Sequence, residues 1–580
     1  MEHPLPDDIF VPEVTRMRED LLKTKGCTMS DINKDRREFI KGTGAVAAGV
    51  TLAAALPGVA DAQATAPAAA DFDIDKTFAG FMKDIGGSAS DGGGKVTFTG
   101  REPILRSHFR IASSMAIPAM AAGVGAAAIW KDRTGEGQDL RVDLRESVYN
   151  VNPLLTLIMQ ARMKKGVLPA DDAVARNFSF VPTVNGNWYQ APLAQGNPIS
   201  FGIFPTKDGR FVTITGVYPH LMDRALKMLN VAPTREAIAG AIKQRTAAEL
   251  EEAMVKTRTV GAIHRTTEEW AAHPQGKYLA GVPLIEIVKV ADGDPVPYTK
   301  DPTQPLSGIR ALSLTHVIAG NCAARTLAEQ GAEVLHVARD QAFEHEGLVT
   351  DVTVGMRSTF MNLRQPNHVQ ALQALLPKAD VFIESFSGRG IERLGFGVEE
   401  VAKRRPGIVY LSLRCYGWDG PWRDKAGFDM EGLTVSGYTF AEGGRRAPSY
   451  GASYGTTEED GKALPAFPPT MVLNDYIAGY LGASGIIAAL RRRAKEGGSY
   501  HVRISLTRAA MWYQGLGRFA NTDFVPGPDQ VMVPPETITR QTPYGEIHRL
   551  APQVKLSKTP GRWRDPLVAV RGGDRPLWQG

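Results

Sequence analysis

The segment from Pro305 to Asp475 alternates short apolar runs with helix-like stretches, and this alternation is what most constrains the fold. Ile309 to Leu314 is predicted as a strand, and the small residues from Ile318 to Gln330 predict a helix that a glycine ends. Further apolar runs of strand length lie at Ala379 to Phe386 and Gly407 to Leu413. Strands that alternate with crossover helices predict an α/β fold with an open parallel sheet.

Composition limits the class of protein. A chain of 580 residues is too long for a single core and predicts two or three globular units. With 43% hydrophobic residues, 22% charged residues and a net charge of +5, it is typical of a soluble enzyme. The sequence has no basic nucleic-acid-binding motif, so no nucleic-acid partner is expected. Its three cysteines lack metal-ligand spacing, so no metal is expected.

The N-terminal residues resemble an export signal. Arg36 and Arg37 precede an apolar stretch from Gly42 to Leu56 and an A-x-A cleavage pattern, as in twin-arginine signals. The apolar stretch is too short for a stable membrane span. Residues 29–62 are therefore predicted to direct the chain to the periplasm, and residues 1–28 are predicted to be an over-long start.

A helix–turn–strand pattern occurs twice. Without gaps, Ser113 aligns with Asp475 and Asp143 aligns with Ser505, which indicates an internal repeat. The resulting prediction is a fused or permuted order of parts. The predicted segments are a linker at 63–104, a first repeat unit at 105–165, a small α+β domain at 190–300, a nucleotide-type α/β domain at 305–470, a second repeat unit at 471–515 and a C-terminal segment at 516–580.

Four motifs occur together in one order: PLSGIR, ADVFIESF, LRCYGWDGPW followed by GFD, and NDYIAGYLGA. In this combination the chain resembles the family III acyl-CoA transferases, which include formyl-CoA and carnitine CoA-transferases and the related 2-methylacyl-CoA racemases. The resemblance extends from about Leu105 to Lys558. It implies the family III fold, coenzyme A or acyl-CoA and a small carboxylic acid as substrates, and a homodimer.

Asp475 is the predicted catalytic residue, because it stands at the family's NDYIAG-type position. The resemblance implies that its carboxylate attacks the acyl-CoA thioester and forms an anhydride, then an aspartyl-CoA thioester. A carboxylate suits this role because it is ionised at neutral pH. The alternative role is the N-cap of the helix that follows. Ser113 lacks a carboxylate, so the first unit is expected to be non-catalytic.

Seven residues are predicted to bind the coenzyme. They are His316, Gly320, Arg339, Arg357, Arg389, Phe428 and Asp429. His316 and Gly320 follow the first strand, at the usual ligand face of an open α/β sheet. The arginines are predicted phosphate partners, because the family's usual acidic residue, lysine and Pro-Gly pair are replaced near them.

Phe428 separates the candidate activities. Related racemases carry a histidine at this position, and phenylalanine cannot transfer a proton. Transfer of coenzyme A is therefore the predicted reaction, with racemisation or isomerisation as the alternative. A non-catalytic acyl-CoA-binding or partner-binding protein of the same fold is a third possibility.

The export signal and the substrate predict different compartments. Coenzyme A is cytoplasmic, whereas the twin-arginine route leads out of the cytoplasm, although it carries folded proteins. The expected location is the periplasm, with the cytoplasm as the alternative.

Overall fold

The computed structural model of the chain describes residues 72–150, 183–185, 187–188, 198–199, 202–340, 344–443, 464–470, 472–520 and 524–579. All of them lie in the compact unit Thr65–Gly580. The over-long start and the twin-arginine signal predicted at 1–62 lie outside the described residues.

The described residues form seventeen α-helices. They are α1 Ile74–Asp84, α2 Ile111–Thr134, α3 Leu144–Ser147, α4 Pro219–Leu229, α5 Arg235–Lys243, α6 Ala247–Thr257, α7 Thr267–Ala272, α8 Pro274–Ala280, α9 Ala319–Glu329, α10 Glu346–Val352, α11 Pro366–Leu375, α12 Gly390–Arg393, α13 Val398–Arg404, α14 Asp429–Val435, α15 Tyr438–Gly443, α16 Leu473–Glu496 and α17 Leu506–Gln514.

The same residues form seventeen β-strands. They are β1 Gly93–Thr99, β2 Gln138–Asp143, β3 Thr183–Val184, β4 Asn187–Trp188, β5 Ile203–Pro205, β6 Phe211–Ile214, β7 Gly261–Ile263, β8 Glu286–Ala291, β9 Arg310–Leu314, β10 Glu333–Ala338, β11 Arg357–Phe360, β12 Val381–Glu384, β13 Val409–Arg414, β14 Ser499–Ser505, β15 Thr537–Thr542, β16 Gly545–Leu550 and β17 Lys555–Leu556.

The largest sheet has seven strands in the order β11-β10-β9-β12-β13-β14-β8. Strands β9 to β14 pair in parallel, with Val381 opposite Ala311 and Val409. β12 is buried along its whole length, as expected for a strand covered by helices on both faces. The predicted α/β fold with an open parallel sheet is confirmed.

Two predicted boundaries are wrong in this part of the chain. β8 was assigned to the small domain, but it forms the antiparallel edge of the large sheet by pairing with β14. β14 was assigned to a separate repeat unit, but it also pairs with β13. Strand pairing between segments distant in sequence decides sheet membership, and the local pattern does not contain it.

The small α+β domain retains its own core. β5, β6 and β7 form an antiparallel sheet, and helices α4, α5 and α6 supply buried apolar side chains to it. Polar bonds join it to the large domain: Thr215, just after β6, donates its hydroxyl to the Glu431 carboxylate of α14 over 2.6 Å. The small domain therefore lies against the helix that follows the GFD motif.

The internal repeat is present as structure. α2 and α16 each have 24 residues, each ends before a glycine, and each leads into a strand and then a helix. The aligned residues Asp143 and Ser505 both cap that last helix, by accepting the N–H of Arg145 and of Arg508. Both copies thus use the same local capping chemistry.

Small residues allow the long helices to pack closely. A Cβ on Gly125 of α2 would meet the Ile487 side chain of α16 at 2.7 Å. A Cβ on Gly479 of α16 would meet Cys322 at 2.5 Å and the Ala319 carbonyl oxygen at 2.9 Å. α16 is therefore held between α2 and α9, and glycine is required at both crossings.

α2 also has the length and apolar composition of a membrane span. Its residues from Ile111 to Ile129 are buried within the protein. In this fold the apolar character of α2 serves the core.

The segment predicted as a linker, 63–104, is folded from Phe72 onward, so that prediction is wrong. α1 packs Phe78, Phe81 and Met82 into the core, and β1 pairs in parallel with β2. These three residues recur at the spacing of one helical face. The Ala- and Gly-rich composition obscured that signal.

We expect Gly479→Leu to lower the free energy of unfolding by about 1–3 kcal/mol, because the new side chain would collide with the α9 backbone. Chemical denaturation measures the change. Gly80→Ala is the matched control: a Cβ there meets nothing within 4 Å on an exposed helical position. It should stabilise the protein by up to about 1 kcal/mol. Equal stability of the two variants would contradict the packing described here.

Candidate active site

A cleft lies at the carboxyl ends of the parallel strands, where the strand order reverses between β9 and β12. The loop after β9 and the loop after β12 form its two sides, and the His316 N–H donates to Ser385 Oγ across it over 3.4 Å. The ends of β13 and β14 contribute Leu413 and Leu506. Ligands of open α/β sheets bind at such a switch point.

The loop after β9 has an unusual backbone conformation. Val317 lines the cleft with a φ of 60°, in the left-handed region that a β-branched residue seldom adopts. The Asn321 side chain fixes the turn by donating to the Val317 carbonyl over 3.0 Å. Strain of this kind is retained where the surrounding structure fixes a functional loop.

Asp475 lies in the first turn of α16 and lines the cleft, with 6% of its surface exposed. Its predicted alternative as the helix N-cap is wrong, because the helix begins at Leu473 and Val472 occupies the cap position. The capping acceptor is Asp429, whose Oδ2 accepts the Asp475 N–H over 2.8 Å. Among the described residues, no hydrogen bond to the Asp475 carboxylate is found, so its oxygens are available to a ligand.

Three buried carboxyl groups surround this helix terminus. Burial raises the pKa of Asp475 well above its usual range, and the nearby Asp429 and Glu431 raise it further. Burial also raises the pKa of Asp429 to about 7. Desolvation and like charge thus favour the neutral acid of Asp475 more than they would for an aspartate in water.

An aromatic wall stands beside Asp475. The Phe428 ring stacks on Tyr218 of the small domain, with centroids 6.2 Å apart and planes 19° from parallel. Tyr218 donates its hydroxyl to Glu344 over 3.0 Å and lies near enough to Asp475 for the carboxylate to raise the pKa of Tyr218. Phe428 thus lines the cleft, and the small domain contributes Tyr218, which packs behind it.

His316 is a neutral member of the cleft. Burial lowers the pKa of His316 to about 4, and its ring stacks on Phe386 with centroids 5.2 Å apart. Gly320 lies in the first turn of α9, where a Cβ would meet Thr315 at 2.5 Å. Both residues line the cleft, in the place that the sequence predicts.

The cleft also carries three cationic residues, Arg414, Arg423 and Lys425. Arg414 is paired with Glu392 at 3.1 Å, and Arg423 lies 3.5 Å from Asp424. Arg389 is half-exposed beside the lining residue Gly388, and its nearest carboxylate is Glu392 at 3.7 Å. The cleft therefore carries cationic groups that attract anions.

Four predicted coenzyme contacts are not among the residues that line the cleft: Arg339, Arg357, Arg389 and Asp429. Asp429 is buried and caps α16 instead. Arg357 begins the edge strand β11 and is 5% exposed, where it pairs with Glu333 at 3.2 Å and Asp574 at 3.3 Å. These bonds hold the C-terminal segment against the sheet. Arg339 is exposed after the carboxyl end of β10. Their phosphate contacts stay predictions.

The residues that the sequence analysis missed are Tyr218, Glu431, Arg414, Arg423 and Lys425. Lys425 lies two residues before the GFD motif, and Glu431 lies two residues after the aspartate of that motif. Proximity to the motif was therefore the sequence signal that could have identified both residues. Tyr218 carries no local signal, because the docking of the small domain places it there.

Neither cysteine of the described residues is placed for thiol chemistry. Cys415 lines the cleft, but burial raises its pKa, and burial raises the pKa of Cys322 to about 11. Across the described part of the chain, no group of three or more His, Cys, Asp or Glu residues is arranged to hold a metal ion.

The first repeat unit copies the helix cap but has a serine at the position of Asp475. Glu102 accepts the N–H groups of Ala112 and Ser113, as Asp429 accepts that of Asp475. The Ser113 hydroxyl also donates to Glu102, so it is occupied. This copy offers no free carboxylate at the equivalent position.

Residues 306–564 match the model of CoA-transferase family III. An acetyl-coenzyme A transferase of Hypoxylon pulicicidum is 28% identical over 387 residues, which cover 63% of this chain and 62% of that protein. An acyl-CoA transferase of Gibberella moniliformis is 30% identical over 47% of each chain. The alpha subunit of a succinyl-CoA–L-malate CoA-transferase of Chloroflexus aurantiacus is 30% identical over 42% of this chain and 54% of its own.

The chain thus spans roughly half to three fifths of the length of these relatives. A solved CaiB/BaiF family protein of Brucella suis aligns with a TM-score of 0.31 and 22% identity, over 36% of this chain and 55% of its own.

We expect the free energy of unfolding to fall less between pH 5 and pH 8 in Asp475→Asn than in the wild type. The folded pKa of Asp475 is raised, so its neutral form stabilises the fold; this contribution is complete below about pH 4 and is lost as pH rises through the folded pKa. Urea unfolding at both pH values should show the wild type losing on the order of 1–3 kcal/mol more than the variant. The exposed Asp223→Asn is the control, and an identical pH dependence in all three proteins would contradict the assignment.

Proposed function

We propose that the protein transfers coenzyme A from an acyl-CoA to a carboxylic acid, with Asp475 as the nucleophile, because residues 306–564 match the model of CoA-transferase family III. The observation that carries this proposal is the position of Asp475. Its carboxyl group faces the switch-point cleft, and another residue supplies the helix cap. The N-terminus of α16 adds a favourable field for a carboxylate there.

In the first half of the reaction, the ionised Asp475 attacks the thioester carbonyl of the acyl-CoA. The carbon–sulfur bond breaks, coenzyme A leaves as a thiolate, and a mixed anhydride forms. The thiolate then attacks the Asp475 carbonyl and expels the donor acid as its carboxylate. The product is an aspartyl-CoA thioester on Asp475.

In the second half, the acceptor carboxylate attacks the aspartyl-CoA thioester and displaces the thiolate. The thiolate attacks the acceptor carbonyl of the new anhydride, which gives the new acyl-CoA and regenerates the Asp475 carboxylate. No net proton is consumed. The transfer rate should rise with pH, because only the ionised Asp475 attacks and its surroundings raise its pKa.

Phe428 supports transfer rather than racemisation. Its ring stacks against Tyr218 and has no proton to exchange, so it supplies an apolar wall for the acyl-CoA beside Asp475. A desolvated cleft strengthens the charge interactions that stabilise attack on the thioester. The homodimer that the resemblance implies stays a prediction.

We expect Asp475→Ala to abolish covalent labelling by acyl-CoA and to reduce transfer by roughly 10³-fold or more, as loss of a covalent nucleophile does elsewhere. Intact mass after incubation with acetyl-CoA and borohydride or hydroxylamine trapping detects the adduct. Ser113→Ala, at the aligned position of the first unit, is the matched control and should label normally. An adduct on the Asp475→Ala protein, or none on the wild type with any short acyl-CoA, would refute the nucleophile; the latter would favour a binding protein.

We also propose export by the twin-arginine route, supported by the pattern at Arg36 and Arg37. Replacing this pair with lysines should move the protein from the periplasmic to the cytoplasmic fraction. The same change at the exposed Arg393 and Arg404 is the matched control. A wild-type protein that stays in the cytoplasm at full length would contradict export.

A further inference from the structure

Lys425 carries a buried charge that the protein itself does not fully satisfy. It lines the cleft, its side chain is 11% exposed, and its ammonium group finds no hydrogen-bond acceptor among the described residues. Burying an ammonium group without acceptors is energetically unfavourable, because the hydrogen bonds it made to water are not replaced.

The neighbours of Lys425 compensate only part of this cost. The nearest carboxylate oxygen, Glu251 Oε1, is 3.8 Å away, and the other oxygen of Glu251 is bound by Arg265 at 2.6 Å. The ammonium also lies over the Trp422 ring, 3.8 Å from its centre. A cation–π contact of this kind attracts the charge and leaves its donors unused.

The other two cations of the cleft differ from Lys425. Arg414 and Arg423 each lie within 3.5 Å of a carboxylate of the protein, and the Arg423 side chain is about half exposed. Arg414 is also buried and its Nε lacks an acceptor, but its Nη2 donates to Glu392 over 3.1 Å. Among the described residues, the Lys425 ammonium has no hydrogen-bond acceptor at all. Of these three groups, it gains most from an anionic ligand.

Lys425 is also close to the reacting end of the cleft. Lys425 and Asp475 line the same cleft, and the Glu431 carboxylate acts electrostatically on both. The phosphates of coenzyme A are separated from its thioester by the long pantetheine arm. An acid that reaches Asp475 would therefore share the cleft with Lys425.

We infer that Lys425 binds a second carboxylate of the acid substrate, so that the protein selects dicarboxylic over monocarboxylic acids. This inference rests on the proposed transfer function. The reacting carboxylate must attack the carbonyl carbon of the aspartyl-CoA thioester, so a second anionic group is needed to pair with Lys425. An acid with a second carboxylate meets both demands, and its charge supplies the acceptor that the ammonium lacks.

Succinate and butyrate test the inference, because they share a four-carbon chain and differ in the second carboxylate. Isothermal titration of each acid into the full chain should show succinate binding about 10- to 100-fold more tightly, as for one charge-assisted contact. Lys425→Met should remove this preference by weakening succinate binding and leaving butyrate unchanged. Lys425→Arg should retain most of it, and the exposed Lys277→Met is the matched control.

Equal affinity for the two acids in the wild type would overturn the inference, as would a Lys425→Met variant that weakens both acids equally. Glu251→Gln covers the case in which Lys425→Met does not fold. It removes the competing carboxylate, so succinate should bind at least as tightly as in the wild type. A lost preference there would show that Lys425 and Glu251 form only a structural pair.

The transfer assay separates the two proposals. If succinate binds through Lys425 but no acyl-CoA labels Asp475, the transferase proposal fails and the dicarboxylate site stands. If Asp475 is labelled and transfer to succinate and butyrate is equally fast, with the ratio unaltered in Lys425→Met, the inference about Lys425 fails and the transferase proposal stands.

Discussion

The hydrogen bond from the Asp475 N–H to the Asp429 carboxylate is the contact on which the cleft depends. It caps α16 from a different segment, and the Asp475 side chain is then not needed to satisfy its own helix end. The same bond brings two carboxyl groups together out of water. Burial raises the pKa of both groups, and the Asp475 N–H partly offsets this for Asp429 by favouring its charged form. Glu431 tightens the arrangement, since it receives the Phe428 N–H and the Thr215 hydroxyl.

The packing of three helices supports this site. α16 lies between α9 and α2, and the glycines at its crossings fix how closely the three helices approach. The first repeat unit preserves the helix, the turn and the strand, and Glu102 reproduces the cap. Its helix terminus carries Ser113, bonded to Glu102, where the other copy carries a free carboxyl group. In this chain the repeat serves as a structural support for the second copy.

Much of the α/β domain could be read from the sequence. The buried strands, the small-residue helix after β9 and the place of Asp475 at a helix start follow from local periodicity and motif order. The edge strand β8 could not be assigned, because its partner β14 lies about two hundred residues away. Arg357 was predicted to bind phosphate because it lies near the coenzyme motifs in the sequence. In the structure it is bonded to Asp574 of the C-terminal segment, and no local pattern predicts this contact.

The sequence by itself determined the parallel sheet, the repeated helix–turn–strand pattern, the candidate nucleophile and the resemblance to CoA-transferase family III, because each depends on residue types at fixed spacing along one segment. Only the tertiary structure decided which groups meet in the cleft. Tyr218 arrives there from the small domain, Asp429 takes over the helix cap, and Lys425 is left buried beside Trp422 without an acceptor. These facts depend on desolvation and on contacts between distant segments, and both arise only when the chain has folded.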